Sequence, residues 1–273
     1  MSAPVLHAVF GQPVAHSLSP YIHAAFAAQF GLAIDYRRIE AGPDDFAAAL
    51  AAFATAGGRG ANVTLPLKEL AASLCAEVTP RARRAGSVNT LTCTSGGWAG
   101  DTTDGIGLLQ DLGARHGVSP VGLRVLMIGA GGAARAAARA LLDANVAALV
   151  IANRTPARAQ RLVEALADPR ASASAPDAVS DRFDLVVNAS AAGHQGQPPA
   201  FAAAAMDSGS VAYDLSYGAA AAPFLALATS AGVRTALDGL GMLVEQAAAS
   251  FALWHGHLPD TAPVYAGLRA RLA

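Results

Sequence analysis

Apolar and polar positions alternate along this chain in a pattern typical of mixed α/β proteins. Strand-like runs at 6–11 ("LHAVFG"), 35–40 ("DYRRIE") and 60–64 ("GANVT") are separated by alanine-rich helical segments that begin near Pro20 and Asp44. Strands that alternate with helices favour a parallel or mixed sheet covered by helices. The first hundred residues therefore predict one α/β domain.

A second alternation follows a turn-rich region near residue 105. The stretch 124–154 ("RVLMIGAGGAARAAARALLDANVAALVIANR") has the order strand, glycine turn, helix and strand of one βαβ unit. Further strands are predicted within 183–190 ("FDLVVNAS") and 210–217 ("SVAYDLSY"), and 171–176 ("ASASAP") is predicted to be a surface loop. A domain boundary is therefore expected near residue 105.

The segment 242–258 ("MLVEQAAASFALWHGHL") is predicted to be helical. One buried stripe is expected on it, made of Leu243, Ala247, Phe251 and Trp254 at helical spacing. The two histidines of "HGH" at 255–257 point to different sides of such a helix, so no metal site is predicted.

Composition narrows the class of protein. A length of 273 residues suits about two domains of roughly 150 residues. The formal net charge of −1, without runs of like charge, argues against a nucleic-acid binder. No apolar run reaches the roughly 18 residues of a membrane span, and no secretion signal is predicted at the start. Cys75 and Cys93 are expected to be reduced thiols, and the cytoplasm is the expected compartment.

The glycine turn "GAGGAAR" at 129–135 is the clearest binding motif. Gly129, Gly131 and Gly132 stand where a strand meets a helix, so the backbone amides can approach a pyrophosphate at the positive end of that helix. Ala134 takes the third glycine position, where the residue needs only to be small. The flanking strand and helix favour a dinucleotide site over a purely structural turn.

Dinucleotide-binding folds usually have an acidic residue about twenty residues after the glycine turn, and this chain has two arginines there. An acid at the second strand end accepts hydrogen bonds from ribose hydroxyls, whereas Arg154 and Arg158 attract a 2′-phosphate. This exchange predicts NADP as the cofactor. The alternative is that Thr155 caps the next helix, with Pro156 at its first position, and the arginines are merely solvated.

Three further motifs have ordinary interpretations when each is taken alone. "HSLSP" at 16–20 is compatible with a helix start, with Ser19 as cap and Pro20 as first residue. Lys68 in "NVTLPLKE" is compatible with a solvated lysine, and Asp101 and Asp104 in "GDTTDG" with turn and cap residues.

Taken in order, these motifs resemble those of the shikimate dehydrogenases. The similarity runs through "FGQPVAHSLSP" at 10–20, "GGRGANVTLPLKE" at 57–69, "AGSVNTL" at 85–91, "GDTTDG" at 100–105, "GAGGAAR" at 129–135, "NRT" at 153–155, "YDLSY" at 213–217 and "DGLGMLVEQAA" at 238–248. This chain departs from the family pattern at two positions. It has Thr102 where asparagine is usual and Ser190 where threonine is usual. Neither change removes a catalytic group.

The resemblance implies an N-terminal α/β substrate domain, a Rossmann-like NADP-binding domain and C-terminal helices that return to the first domain. Residues 1–105 with 239–273 would then form the substrate domain, and 106–238 the NADP domain. The implied reaction is the reversible reduction of 3-dehydroshikimate to shikimate by NADPH, in aromatic amino-acid biosynthesis. The implied protein is a monomer or homodimer that acts on a small molecule.

The same resemblance assigns the site residues. Lys68 and Asp104 are implied as the catalytic pair, because a lysine can both give and recover the proton that the forming alcohol needs. The implied substrate-binding residues are Ser17 and Ser19 for the carboxylate, with Thr64, Asn89, Tyr217 and Gln246. The implied cofactor-binding residues are Gly129, Ala130, Gly131, Gly132, Ala133, Asn153, Arg154, Thr155, Arg158, Leu215 and Gly239.

Other functions stay open. A quinate/shikimate dehydrogenase that uses NAD is the nearest alternative, and the two arginines point away from it. A catalytically inactive NADP-sensing regulator on the same fold is a second alternative, against which the retention of Lys68 and Asp104 argues. Tyr217 is also compatible with a packed aromatic residue whose hydroxyl is solvated.

Overall fold

The computed structural model describes residues 3–201 and 203–272. These residues form two compact units. The chain leaves the first unit after Gly107, builds the second from Leu108 to Leu243, and returns to the first at Val244. Each boundary falls within a helix, α5 (Asp104–Gln110) in the first case and α9 (Leu240–His255) in the second.

The first unit is built on a six-stranded mixed sheet. Its strands are β1 (Val5–Gly11), β2 (Ile34–Glu40), β3 (Gly58–Val63), β4 (Glu77–Val78), β5 (Thr90–Thr94) and β6 (Gly97–Asp101). Their order across the sheet is β2-β1-β3-β5-β6-β4. Only β5 runs against its neighbours, so β1, β3 and β6 all end at the same edge of the sheet. The loops that follow these three strands therefore leave from one edge.

Helices cover this sheet and complete its core. Besides the parts of α5 and α9 that belong to the first unit, they are α1 (Ser19–Gln29), α2 (Phe46–Thr55), α3 (Lys68–Ser73), α4 (Pro80–Ala85) and α10 (Ala262–Leu272). The core between the sheet and α2 is aromatic, since the ring of Phe10 packs edge-on against Phe46 and Phe53 at 5.6 and 5.5 Å between centroids. All three rings are almost fully buried.

The second unit is built on a six-stranded sheet that is entirely parallel. Its strands are β7 (Arg124–Ile128), β8 (Ala148–Ala152), β9 (Ala171–Ser174), β10 (Leu185–Asn188), β11 (Val211–Asp214) and β12 (Thr235–Leu237). The strand order is β12-β11-β10-β7-β8-β9. This is the doubly wound order of dinucleotide-binding folds, in which the direction of winding reverses between β7 and β10.

The helices of the second unit are α6 (Gly132–Asp143), α7 (Pro156–Leu166) and α8 (Ala222–Ser230). The central strands β7, β8 and β10 are largely buried on both faces, which explains why they are apolar at nearly every position. Val125 and Met127 of β7 belong to one apolar core, and Leu126 and Ile128 to another on the opposite face. The mixed and the parallel sheet together confirm the predicted α/β class.

Several local predictions need correction. The stretch 171–176 is not a surface loop, because its first four residues form β9, the edge strand that pairs with β8. An edge strand of alternating alanine and serine has too little apolar contrast for a sequence pattern to reveal it. The first helix begins at Ser19 itself, with Leu18 at the N-cap position and no side-chain cap. Thr155 stands at the N-cap position of α7, but its side chain makes no capping hydrogen bond.

The predicted stripe on α9 is only partly buried. Ala247 and Phe251 are fully buried, whereas Leu243 and Trp254 are half-buried. Trp254 instead uses its indole nitrogen, which donates to the carbonyl oxygen of Leu91 in β5 at 3.1 Å. Among the helices of the described residues, none combines the length and the apolar character that crossing a membrane requires.

Three histidines pack together behind the sheet of the first unit. The ring centroids of His7 and His255 are 5.0 Å apart, and His23 stacks on Tyr36 at 4.5 Å. The Nε2 atoms of His23 and His255 are buried without a hydrogen-bond partner. Burial, reinforced by a neighbouring histidine, lowers the pKa of His7 to about 4 and that of His23 to about 3. These imidazoles are therefore neutral aromatic packing groups at pH 7.

We expect this cluster to make the protein sensitive to mild acid. A histidine whose pKa is depressed by folding gives full stability above its unfolded pKa near 6.5, and this stability is lost as the pH falls toward the folded value. His23 should thus cost about 2 kcal/mol of unfolding free energy between pH 7 and pH 5. Urea unfolding at both pH values measures this change. Between pH 7 and pH 5, the unfolding free energy of His23→Phe should fall by about 2 kcal/mol less than that of the unmodified chain.

A histidine outside the cluster provides the control. His16 is exposed, so His16→Asn should keep the pH dependence of the unmodified protein. If His23→Phe and His16→Asn lose the same unfolding free energy between pH 7 and pH 5, the buried ring of His23 is not the cause of the acid sensitivity.

Candidate functional site

Lys68 and Asp104 form an ion pair in the first unit. Lys68 is the first residue of α3, and Asp104 is the first residue of α5, shortly after β6 ends. The Nζ atom of Lys68 lies 2.5 Å from Oδ2 of Asp104, and their side chains are 14% and 4% exposed. The pair is therefore largely buried, with a small opening at the lysine.

Asn89 fixes the position of the Asp104 carboxylate. Its Nδ2 atom donates to Oδ1 of Asp104 at 2.8 Å, so each oxygen of the carboxylate has its own donor. The Oδ1 atom of Asn89 accepts from the backbone N–H of Thr103 at 2.8 Å and from the hydroxyl of Thr90 at 2.9 Å. The N–H of Thr103 can only donate, which settles the orientation of the Asn89 amide.

A buried layer of polar side chains lies behind Asn89. Gln246 of α9 accepts from Asn89 at 3.2 Å and from Thr103 at 3.3 Å. The hydroxyl of Ser250, one turn further along α9, is 2.8 Å from that of Thr90 and accepts from Nδ2 of Asn62 at 3.0 Å. Helix α9 therefore completes the hydrogen bonds of residues that β3 and β5 supply.

The two serines predicted to bind a carboxylate lie in one short turn. The Ser17 hydroxyl donates to that of Ser19 at 3.1 Å and accepts from the backbone N–H of Ser19 at 3.3 Å. Ser19 is buried, whereas Ser17 is half-buried. This turn belongs to the loop after β1, and Thr64 follows β3, its parallel neighbour. The Thr64 hydroxyl has no hydrogen-bond partner among the described residues.

The topology explains why these residues meet. The loops after β1, β3 and β6 leave the same edge of the sheet, and the antiparallel β5 begins there. Seven predicted site residues are gathered here: six lie at this edge, and Gln246 joins them from α9 behind it. The six are Ser17, Ser19, Thr64, Lys68, Asn89 and Asp104. Tyr217 belongs to the second unit, where it lies between β11 and a short helical turn.

An ion pair anchors the loop that carries Asp104. Arg81 of α4 donates through Nε and Nη2 to the two carboxylate oxygens of Asp101, at 2.6 and 2.5 Å. Asp101 also accepts from the backbone N–H of Thr102 at 2.7 Å. The Thr102 hydroxyl is buried and has no hydrogen-bond partner in the described part of the chain. The departure from the family at position 102 thus leaves one polar atom unsatisfied and keeps the loop anchored.

In the second unit the glycine turn lies where the sheet reverses its winding. Gly129 follows β7 and has a φ of +116°, and a Cβ there would lie 2.7 Å from the carbonyl oxygen of Ala189, which follows β10. Gly131 stands at the N-cap position of α6, which has no side-chain cap, and a Cβ there would meet nothing within 4 Å. The first glycine is thus required by the fold, while the second leaves open space before the helix.

The other predicted nucleotide residues surround the ends of the neighbouring strands. Ala130, Gly132 and Ala133 complete the turn into α6. Asn153, Arg154, Thr155 and Arg158 follow β8, where Asn153 donates through Nδ2 to the carbonyl oxygen of Thr155 at 2.9 Å. Both arginines are exposed, and neither guanidinium group has a hydrogen-bond or ion-pair partner within residues 3–201 and 203–272.

Leu215 and Gly239 meet at the end of β11. A Cβ on Gly239 would lie 2.3 Å from the carbonyl oxygen of Leu215, so only glycine allows the two backbones to approach this closely. The backbone N–H of Gly239 donates to Ser216 at 2.8 Å. The structure therefore brings these two predicted residues together.

A buried carboxylate organises the end of β10. Asn188 donates through Nδ2 to Asp214 at 2.7 Å and accepts from the Ser190 hydroxyl at 2.7 Å. Burial raises the pKa of Asp214 to about 6. Serine supplies the same hydroxyl as the threonine usual at position 190, so this departure preserves the hydrogen bond.

Sequence reasoning missed the residues that support the site from behind. Asn62, Thr90, Thr103 and Ser250 are buried polar residues, although no motif assigned them a role. The available signal was polarity at positions where strand or helix periodicity demands an apolar side chain. Across the described ranges, no three or more His, Cys, Asp or Glu side chains are grouped so that they could hold a metal ion.

Three family models match successive parts of the chain. Residues 9–91 match the shikimate dehydrogenase substrate binding domain, residues 114–198 match shikimate / quinate 5-dehydrogenase, and residues 239–269 match the shikimate 5′-dehydrogenase C-terminal domain.

Individual proteins are similar over nearly the whole length. The shikimate dehydrogenase (NADP(+)) of Xanthomonas oryzae pv. oryzae is 56% identical over 272 residues, which cover 98% of this chain and 96% of the relative. The structure of an Ael1 enzyme from Pseudomonas putida is 40% identical with a TM-score of 0.87, covering 97% and 98% of the two chains. Shikimate 5-dehydrogenase from Thermus thermophilus, in complex with NADP(H) and shikimate, is 34% identical with a TM-score of 0.86, covering 97% and 99%.

The two glycines of the turn should respond differently to alanine. Gly129→Ala places a side chain at a φ of +116° against a backbone oxygen, so we expect a loss of about 1–3 kcal/mol in unfolding free energy. Gly131→Ala meets no atom and should change the stability by less than about 0.5 kcal/mol. Urea unfolding followed by circular dichroism measures both, and equal midpoints would contradict the prediction.

Proposed function

Since the chain belongs to the shikimate dehydrogenase family, we propose that it catalyses the reversible NADPH-dependent reduction of 3-dehydroshikimate to shikimate in aromatic amino-acid biosynthesis. The observation that carries this proposal is the buried ion pair of Lys68 and Asp104 at the edge that also holds the Ser17–Ser19 turn. It combines a proton donor, a fixed carboxylate and hydroxyl groups that fit a polar ring.

Lys68 is the proposed acid and base. Reduction of a carbonyl group leaves an oxygen that needs a proton, and the Lys68 ammonium supplies it, while in the oxidation the amine takes it back. Lys68 is the only lysine of the chain, because all other members of its 19 Lys and Arg residues are arginines. A guanidinium stays protonated in proteins, so lysine is the cation that suits this position.

Asp104 and Asn89 hold that lysine in place. The carboxylate receives Lys68 on one oxygen and Asn89 on the other, which leaves it little freedom to rotate. A catalytic group that is already oriented avoids the cost of ordering it in the transition state. This arrangement also argues against an inactive regulator, which has no need to keep a buried charge pair in this geometry.

The proposed substrate contacts are all hydroxyl, amide or carboxamide groups. Ser17 and Ser19 are assigned to the carboxylate, and Thr64, Asn89, Gln246 and Tyr217 to the ring hydroxyls. Each of these side chains can donate a hydrogen bond. The four assigned to ring hydroxyls would meet ligand groups that both donate and accept. The free hydroxyl of Thr64 supports this assignment, since it has no partner among the described residues.

The second unit fits a dinucleotide with a 2′-phosphate. The glycine turn lies at the reversal of the parallel sheet, and Gly131 opens the start of α6 to a pyrophosphate. Arg154 and Arg158 are exposed and unpaired within the described ranges, as expected of residues that await an anion. NADPH supplies the hydride when it is bound. These features favour NADP over NAD as the cofactor. They therefore argue against the alternative function, an NAD-dependent quinate/shikimate dehydrogenase.

Free cysteines agree with a reducing compartment. Cys75 and Cys93 are not joined in a disulfide, which fits the cytoplasm as the proposed site of action.

An absorbance assay at 340 nm tests the proposed function. Purified protein is incubated with shikimate or quinate, and with NADP or NAD, in all four combinations. Reduction confined mainly to shikimate with NADP is the expected result. Activity mainly with quinate and NAD would favour the alternative dehydrogenase, and inactivity in all four would contradict an enzyme.

Removal of the Lys68 amine should reduce turnover without weakening substrate binding. We expect Lys68→Ala to lower kcat by about two or more orders of magnitude with little change in KM, as is usual for a lost acid or base. Lys68→Arg should not restore activity, because guanidinium does not release its proton. Steady-state kinetics measures this, with the thermal transition as a check on folding, and an active arginine variant would show that charge alone suffices.

The two arginines should discriminate between the cofactors. We expect Arg154→Ala with Arg158→Ala to weaken NADP binding by about ten- to hundredfold, because charge-assisted hydrogen bonds to the phosphate are lost, and to leave NAD binding nearly unchanged. Arg161 is exposed on the same helix, so Arg161→Ala is the matched control. Fluorescence titration with both cofactors checks the prediction, which fails if NADP and NAD are affected equally.

A further inference from the structure

We propose that Arg38 is a positioning residue that holds the Ser17–Ser19 turn and supplies the positive charge that draws the substrate carboxylate to it. This inference rests on the proposed function, since it takes that turn as the carboxylate site. No motif pointed to Arg38, which the sequence presents only as part of a strand.

The contact between Arg38 and the turn is direct. The Nε and Nη2 atoms of Arg38 both donate to the carbonyl oxygen of Ser17, at 2.9 and 2.7 Å. Two donors from one planar guanidinium restrict both the distance and the direction of the carbonyl. The peptide group between Ser17 and Leu18 is thereby held from β2, by a residue 21 positions after Ser17 in the sequence.

A second residue of β2, Tyr36, fixes this strand to its neighbourhood in the first unit. Tyr36 and Arg38 are two positions apart, so their side chains lie on the same face of the strand. The Tyr36 hydroxyl donates to Oδ1 of Asn62 at 2.7 Å. Burial raises the pKa of this hydroxyl. The same face of β2 therefore binds the turn through Arg38 and β3 through Tyr36.

The charge of Arg38 is available to a ligand. Hydroxyl groups alone compensate a carboxylate poorly when it leaves water, so a nearby cation is expected. Lys68 is already paired with Asp104. Arg38 has no carboxylate partner in the described part of the chain, and this includes Glu40 on the same strand face. Its neighbour Arg37, in contrast, is paired with Asp35 at 2.5 Å.

The guanidinium also keeps donors to spare. An arginine has five N–H groups, and two of them serve the Ser17 carbonyl. Arg38 is exposed, so the remaining groups face solvent. The positive charge thus lies one peptide group from the predicted carboxylate ligands and is open to the medium from which the substrate arrives.

Arginine variants on the two faces of β2 test the proposal. Arg38→Gln removes the charge, Arg38→Lys keeps the charge but loses the two-donor contact, and Arg37→Gln is the matched control on the opposite face. Each variant is assayed with NADP and with either shikimate or its uncharged methyl ester. The unmodified protein is assayed first with shikimate, because its inactivity would refute the proposed function and not the role of Arg38.

We expect Arg38→Gln to raise KM for shikimate by about tenfold or more, the size of a lost charge-assisted interaction, with kcat within about threefold. Arg38→Lys should recover part of this loss, and Arg37→Gln should match the unmodified protein. The effect of Arg38→Gln on the methyl ester should be less than about threefold, and salt should raise KM for shikimate less in this variant than in the others.

Two outcomes would overturn the proposal. One is a KM for shikimate in Arg38→Gln that equals that of Arg37→Gln. The other is an equal rise in KM for shikimate and its ester, because Arg38 would then support the turn without acting on the carboxylate charge.

Discussion

The burial of a lysine beside an aspartate is the constraint on which the first unit depends. Two charges removed from water stabilise a protein little unless every remaining donor and acceptor is satisfied, and leaving one of them unpaired is strongly destabilising. Asn89 satisfies the second oxygen of Asp104, and Thr103 and Thr90 satisfy Asn89 in turn. The buried polar residues Asn89, Thr90 and Thr103 are thus explained by one ion pair.

The second unit follows a different constraint, which is the close approach of backbones. Its parallel sheet is covered on both faces, and the space for a ligand arises only where the winding reverses. At that point Gly129 passes a neighbouring strand end too closely for any side chain. The predicted site of the first unit therefore consists of polar side chains, whereas the predicted site of the second consists largely of backbone.

Local patterns predicted most of the fold, and long-range contacts explain what they missed. The βαβ unit at 124–154 was predictable because its strands, turn and helix are contiguous and strongly periodic. β9 was missed because an edge strand of alanine and serine has little apolar contrast. Arg38 and Ser250 were missed because their contacts with Ser17 and Asn62 join residues far apart in sequence. Lys68 and Asp104 were assigned through family resemblance, since neither spacing nor composition joins two residues 36 positions apart.

The return of the chain to the first unit has a consequence for its synthesis on the ribosome. The second unit is a continuous segment and can close as soon as it has emerged, since domains generally fold as units during translation. The first unit cannot, because Asn62, Thr90 and Leu91 each lack one hydrogen-bond partner until Ser250 and Trp254 of α9 have been made. The half of the protein that is made first is therefore the half that is finished last, and its polar interior stays exposed to water until the final helices arrive.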